Sequence, residues 1–198
     1  MQKYNTIAVC GPFGAPVEQF AKALADAITP TPIIVSEMSY LSFNEKQNEF
    51  ILDKDALEKK LKTSPGRTIF YGHFLLDDPP IRKEFNLKLF IETDSDICVS
   101  NYIRQNIKEP LENLLKVYSE RLKKANDETI VRTKKHADLV IPYQKNFTTA
   151  LNLLRSAFTF DEMEPQKSHV IRHSFFMPDN ESSKQSNKNN ETKKLLTL

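Results

Sequence analysis

The residues best placed to do chemistry come early, in IAVCGPFGAPVEQFAKAL, from Ile7 to Leu24. An apolar run, Ile7–Cys10, enters a turn holding Gly11 and Gly14, and a helical pattern follows from Val17. That strand–turn–helix order is the setting of a phosphate-binding loop, where backbone N–H groups at a helix N-terminus receive an anion. The working pattern is GxxxxGK followed by Ser or Thr. Gly11 takes the first position, and Pro12, Phe13, Gly14 and Ala15 fill the variable ones. The next three residues are Pro16, Val17 and Glu18 instead of Gly, Lys and a hydroxyl. Pro16 lacks an N–H and has a fixed φ. Val17 has neither charge nor donor, and Glu18 puts a carboxylate where a polyphosphate would lie. Lys22 is expected to lie too far along the helix to replace the missing lysine. A plainer role for Glu18 is that of an acidic residue in a first helical turn, which the helix dipole favours by about 0.3–1 kcal/mol, so that the chain occupies its own anion site.

The elements that position this turn alternate regularly. Ile7–Cys10, Ile33–Val35, Thr68–Tyr71, Leu87–Ile91 and Leu139–Ile141 read as five buried strands. Helical stripes follow from Val17 to Ile28, after a cap at Asp53, across Ile97–Ile107 and Leu111–Lys124, and across Phe147–Phe158. Uniformly apolar strands separated by helices imply a parallel sheet covered on both faces. The expected domain spans residues 1–160. Beyond it, Asp179–Lys194 contains no apolar residue, so residues 161–198 are expected to be a disordered tail.

Composition excludes several roles. The chain has 198 residues, with 28 Lys plus Arg against 26 Asp plus Glu, so bulk charge does not suit it to a nucleic-acid backbone. No apolar run is long enough for a membrane span, and the four apolar residues before Gly11 are too few for a signal peptide. Cys10 and Cys98 are too few for a disulfide framework or a four-ligand zinc site and read as buried thiols. A cytoplasmic protein without nucleic-acid or membrane partners is expected. No metal site is expected, although Asp77, Asp78, Asp94 and Asp96 cluster near strand ends. Asp94 and Asp96 read as caps of the helix that follows, and Asp138 as structural. A lone His73 after Gly72 is placed to contact whatever enters the crevice.

Four blocks now carry a resemblance. They are the loop segment, TIFYGHFLLDDPPIRKEF (68–85), LKLFIETDSD (87–96) and KKHADLVIP (134–142). With them the chain resembles the uridine kinase branch of the P-loop kinases, a group that includes phosphoribulokinase-like proteins. The resemblance implies the three-layer α/β fold of P-loop nucleoside triphosphatases, with a five-stranded parallel core sheet and a ligand crevice at the strands' C-terminal ends. It also implies ATP and Mg2+ as cofactors of an active member, with uridine, cytidine or a related alcohol as acceptor.

The departures fall on every part of that machinery. Where the family places an Asp as general base, the chain reads VSEMSYL, with Met38 in register and Glu37 beside it as the candidate base. Tyr71 stands where the family has a Glu near the metal. The Arg-rich lid helix reads Cys98, Asn101, Tyr102 and Gln105 at the matching positions, leaving Arg104 out of register as a candidate substrate contact. The interval from Met38 to Tyr71 reads as lacking the family's substrate-gripping insertion. Two readings follow. In one, the domain is a pseudoenzyme that needs no cofactor and binds a nucleotide without magnesium, a nucleoside or a protein partner. In the other, it is a divergent kinase, an ATP-dependent phosphotransferase acting on a nucleoside.

Overall fold

The computed structural model describes residues 5–143 and 146–163. All five expected strands form, and they make one parallel sheet. They are β1 (Thr6–Cys10), β2 (Ile33–Ser36), β5 (Thr68–Gly72), β6 (Leu87–Glu92) and β7 (Leu139–Pro142), in the order β2-β5-β1-β6-β7. β1 lies centrally, pairing Val9 with Tyr71 on one side and with Leu89 on the other. The chain winds to one side of β1 and then to the other, so the turn after β1 opens at the point where the strand order reverses.

Period-two alternation divides the β1 side chains between two layers. Ile7 and Val9 face a core shared with α1 (Val17–Asp26) and α7 (Thr148–Met163), through Phe20, Leu24, Leu154 and Phe158. Ala8 and Cys10 face the other layer, with Leu57 and Leu61 of α2 (Lys54–Thr63) and Leu122 and Ile130 further along. Both faces are covered, as the apolar strands require.

The Asp53 carboxylate accepts from the Ala56 N–H at 3.0 Å and caps α2. Asp78 caps α3 (Pro79–Lys83) in the same way, at 3.2 Å from the Ile81 nitrogen. Asp94 stands at the N-cap position of α4 (Ser95–Gln105), but its side chain makes no capping bond, contrary to expectation. Asp138 accepts from the Lys88 N–H at 2.8 Å and tethers the start of β7 to β6.

Two features depart from the sequence reading. The interval after β2 is not bare. A 3-10 turn, Glu37–Tyr40, leads into an antiparallel hairpin of β3 (Leu41–Asn44) and β4 (Glu49–Leu52). Its turn is built without glycine, on Asn44 side-chain bonds to the Lys46 and Gln47 N–H groups and on Asn48 at φ 52°. Nor does the second long helix stop near Lys124. It runs from α5 (Leu111–Val117) through π-helical turns at Tyr118–Leu122 and Asn126–Ile130, on either side of α6 (Lys123–Ala125), into the 3-10 segment Val131–His136. α7 continues to Met163, and the rest of the expected tail lies outside the described residues. Among the described residues, no helix is long and apolar enough to cross a membrane.

Candidate functional site

The turn after β1 is packed from beneath and clasped from above. A Cβ on Gly11 would come within 2.9 Å of the Ile91 carbonyl, so glycine is needed there for a close approach. Within the turn, the Ala15 N–H donates to the Pro12 carbonyl at 2.9 Å, and the Val17 N–H donates to the Ala15 carbonyl at 2.8 Å. The Phe13 N–H donates to Asn126 Oδ1 at 2.7 Å, and Asn126 Nδ2 returns a bond to the Phe13 carbonyl at 3.2 Å. Positions 12 and 16 are prolines. At residues 12, 13, 15, 16 and 17, therefore, the backbone has no N–H left to offer an anion. Gly14, at φ 91°, lies so close to α4 that a Cβ would collide with the Cys98 carbonyl. Asn101 Nδ2 donates to the Gly14 carbonyl at 3.0 Å. The Val17 side chain is buried in the layer beneath, among the residues that α1 packs on the sheet.

Above the turn lies a cavity of about 660 Å³, at the C-terminal ends of β1 and β5. Residues 13–18 form one side of it, with Tyr71, Gly72 and His73 from the end of β5 and Met38 from the 3-10 turn. Phe50 of the hairpin lines it as well, as do Tyr102, Gln105 and Leu122 of the helical arm that runs from α4 to His136. Phe13 is the hub of this aromatic lining. Its ring centroid lies 4.0 Å from that of His73, 4.9 Å from Phe50 and 6.0 Å from Phe74. Among the described lining residues, Lys22 is the one cation, and it pairs with Glu18 at 2.6 Å. Glu18 thus turns outward to Lys22 instead of back over the turn, and α1 begins at Pro16 without a side-chain cap.

His73 is buried, and its Nδ1 lies 2.8 Å from the Gly11 carbonyl, which makes Nδ1 the protonated nitrogen. Burial outweighs that bond and lowers its pKa to about 4, so the ring is neutral at physiological pH. Glu37 is fully buried and does not line the cavity. It sits behind Gly72, where a Cβ would collide with it, and its carboxylate accepts from the His73 and Phe74 N–H groups. Burial raises its pKa to about 7, against the two N–H bonds that favour the charged form. Arg104 is exposed in the last turn of α4, outside the cavity lining.

The fold therefore brings residues 13–18 and His73 together around the cavity, with Glu37 bonded to the His73 N–H but buried behind it, and leaves Arg104 outside. Asn126 and Phe50 were not anticipated. Phe50 belongs to a β3–β4 alternation of Leu41, Phe43, Phe50 and Leu52 that was open to a period-two reading. Asn126 gave no signal, because its partner lies 113 residues away. Among the described residues, no group of three or more His, Cys, Asp or Glu side chains is arranged to hold a metal ion.

No family model matches the chain. It is 31% identical over 103 residues to a uridine kinase-like protein of Arabidopsis thaliana, a match covering 50% of this chain and 22% of that protein. To uridine-cytidine kinase B of Dictyostelium discoideum it is 34% identical over 89 residues, covering 43% and 37%. To the uridine kinase of Ligilactobacillus salivarius it is 28% identical over 126 residues, covering 55% and 59%. The chain spans less than two thirds of the length of each of these relatives. A solved structure described as a fructose transport system kinase from Silicibacter sp. superposes with a TM-score of 0.55 at 13% identity, over 70% of this chain and 90% of that one. Shikimate kinase from Acinetobacter baumannii superposes with a TM-score of 0.50 at 11% identity, over 82% and 97%. Those identities speak for the fold alone. The fold is that of the P-loop kinases, and in sequence the chain is related to uridine kinases.

Proposed function

We propose that this uridine kinase-like domain has given up phosphoryl transfer and serves as a binding domain. Its ligand would be a nucleoside, a nucleotide held without magnesium, or a protein. One observation carries the reading: in the turn that cradles phosphates in a working kinase, the N–H groups of Phe13, Ala15 and Val17 are spent on the chain itself. The Phe13 N–H goes to Asn126 and those of Ala15 and Val17 go to carbonyls within the turn, while Pro12 and Pro16 have none. Val17 is buried where a lysine would reach out, Glu18 supplies no hydroxyl for a metal, and Lys22 is paired with Glu18. The residues present do not fit a magnesium triphosphate, so no transfer step is derived. A buried Glu37 held by two N–H groups is a brace for the turn after β5 in this reading, and its full burial behind Gly72 and His73, which close it off from the cavity, argues against a general base.

The relation to named uridine kinases favours a second reading, an active kinase using ATP and Mg2+ on a nucleoside hydroxyl. Thermal melting with ATP and Mg2+ separates the two. A ligand at a hundred times its Kd adds about 2.7 kcal/mol, which moves the midpoint by several degrees in a domain of this size. The binding-domain reading expects no Mg2+-dependent shift and no uridine turnover. It also expects Val17→Lys alone to remain inactive, because the turn's amides stay engaged. Turnover by the unaltered chain would decide for the kinase.

A further inference from the structure

One polar atom in the cavity wall has no task in the fold, and it belongs to His73. Three bonds and a stacked ring hold that residue in one orientation. Its N–H donates to Glu37, its carbonyl accepts from the Cys10 thiol at 2.9 Å, and its Nδ1 lies 2.8 Å from the Gly11 carbonyl. The Phe13 ring lies against the imidazole, with centroids 4.0 Å apart. A carbonyl can only accept, so Nδ1 carries the proton, and in the neutral ring Nε2 is then an acceptor. His73 is 9% exposed, and Nε2 has no hydrogen-bond partner among the described residues. Nor is Nε2 sealed from solvent, so it opens to the cavity that His73 lines. An acceptor in such a dry place favours a ligand that brings a donor and penalises one that does not.

The surroundings say what carries that donor. Phe13, Phe50, Tyr71 and Tyr102 give the cavity aromatic walls, and Met38 and Leu122 add apolar surface. Glu18 and Lys22, the charged side chains among the described lining residues, neutralise one another at 2.6 Å. At about 660 Å³ the cavity has room for a fused ring. We propose that His73 Nε2 and the Phe13 ring form a subsite for an uncharged aromatic heterocycle that donates a ring N–H to Nε2. The heterocycle lies against the turn after β1, the turn that would hold phosphates in a kinase. The inference rests on the binding-domain reading and gives its ligand a chemical class.

Indole is the probe, because its ring N–H is a donor and the chain has no tryptophan to mask its fluorescence. Adding the full chain should shift indole emission to shorter wavelength as the ring leaves water. Benzofuran has the same shape with an oxygen in place of the N–H. It should displace indole roughly five- to hundredfold less effectively than indole itself, the range set by one buried acceptor left unpaired. His73→Asn keeps a donor for the Gly11 carbonyl but is too short to place an acceptor where Nε2 stands. It should weaken indole by a similar factor and leave benzofuran nearly unchanged, so that the two bind alike. Benzofuran competing as well as indole on the unaltered protein would overturn the proposal, and that comparison needs no variant to fold. So would full indole affinity in a folded His73→Asn protein, or indole emission that millimolar protein leaves unchanged. Any of these would leave a binding domain for other ligands standing. Uridine turnover with ATP and Mg2+ is the separate result that would remove the reading beneath, and this inference with it.

Discussion

The β1–α1 frame and the turn that joins its two elements are neighbours in sequence, yet different forces hold them. In the frame, Ile7, Val9, Phe20 and Leu24 are fully buried and nothing about them is specific to a ligand. The turn is held by polar groups from far away in the chain, the Asn126 and Asn101 carboxamides, and by the packing of the Phe13 ring. Burial depends on area and shape alone, so the frame is indifferent to what the turn does. A phosphate cradle depends on donors left unspent, and a few substitutions redirect them. A P-loop fold can thus persist around a turn in which three N–H groups are spent within the chain.

The contrast can be tested in order of expected effect. Phe20→Ala empties a fully buried aromatic site in the frame, next to Phe147 at 4.8 Å. It should cost about 3–5 kcal/mol in denaturant unfolding. A cost under about 1 kcal/mol would mean that the frame is looser than its burial implies.

The brace behind the turn is tested by pH. Glu37 has its pKa raised from the ordinary 4.5 to about 7, so between those values the native state holds a proton that the unfolded chain has lost. Its contribution to stability is complete below pH 4.5 and fades as pH rises through about 7. His73 behaves oppositely. Its pKa is lowered from 6.5 to about 4, so its contribution is complete above 6.5 and fades as pH falls through 4. The two slopes oppose one another across much of the same window. Glu37→Gln should therefore unmask a rise in stability from pH 4 to 6.5, on the order of 3 kcal/mol, and His73→Asn should unmask a fall from pH 4.5 to 7. Identical pH profiles for both variants and the unaltered protein would show that neither group is as isolated from water as the structure has it.

Asn126→Ala removes the clasp on Phe13 and leaves a buried N–H and carbonyl without their partner. It should cost about 1–3 kcal/mol, mostly through residues 11–18 and the arm. Exchange protection at the Phe13 amide should drop while that of β1 holds. Equal loss in both would make the clasp part of the frame. The smallest effect belongs to Lys22→Ala. Lys22 and Glu18 are 62% and 55% exposed, so the melting midpoint should not move. A clear drop would mean that the pair does more than neutralise the edge of the cavity.

Much of the fold was legible because its signals are local. β1, β2, β5, β6 and β7 are short apolar runs bounded by turn residues, and all five were located from that pattern. The hairpin was passed over because its strands are four residues long and its turn, Asn44 to Asn48, carries no glycine to announce it. The arm was cut short because its π-helical turns shift the apolar stripe off the 3.6-residue period. In the site, that Val17 offers no cation and Glu18 no hydroxyl could be read residue by residue. That Glu18 would pair outward with Lys22, and that Glu37 would be buried behind Gly72, could not.

What the chain's order of residues determined alone is the layered sheet and the missing cation at the turn, since side-chain chemistry and hydrophobic period are properties of neighbouring positions. Where the turn's own N–H groups go was decided only when Asn126 and Phe13 met across 113 residues. A hydrogen bond is a matter of distance and angle, and no pattern within a short window encodes which remote carboxamide will arrive there.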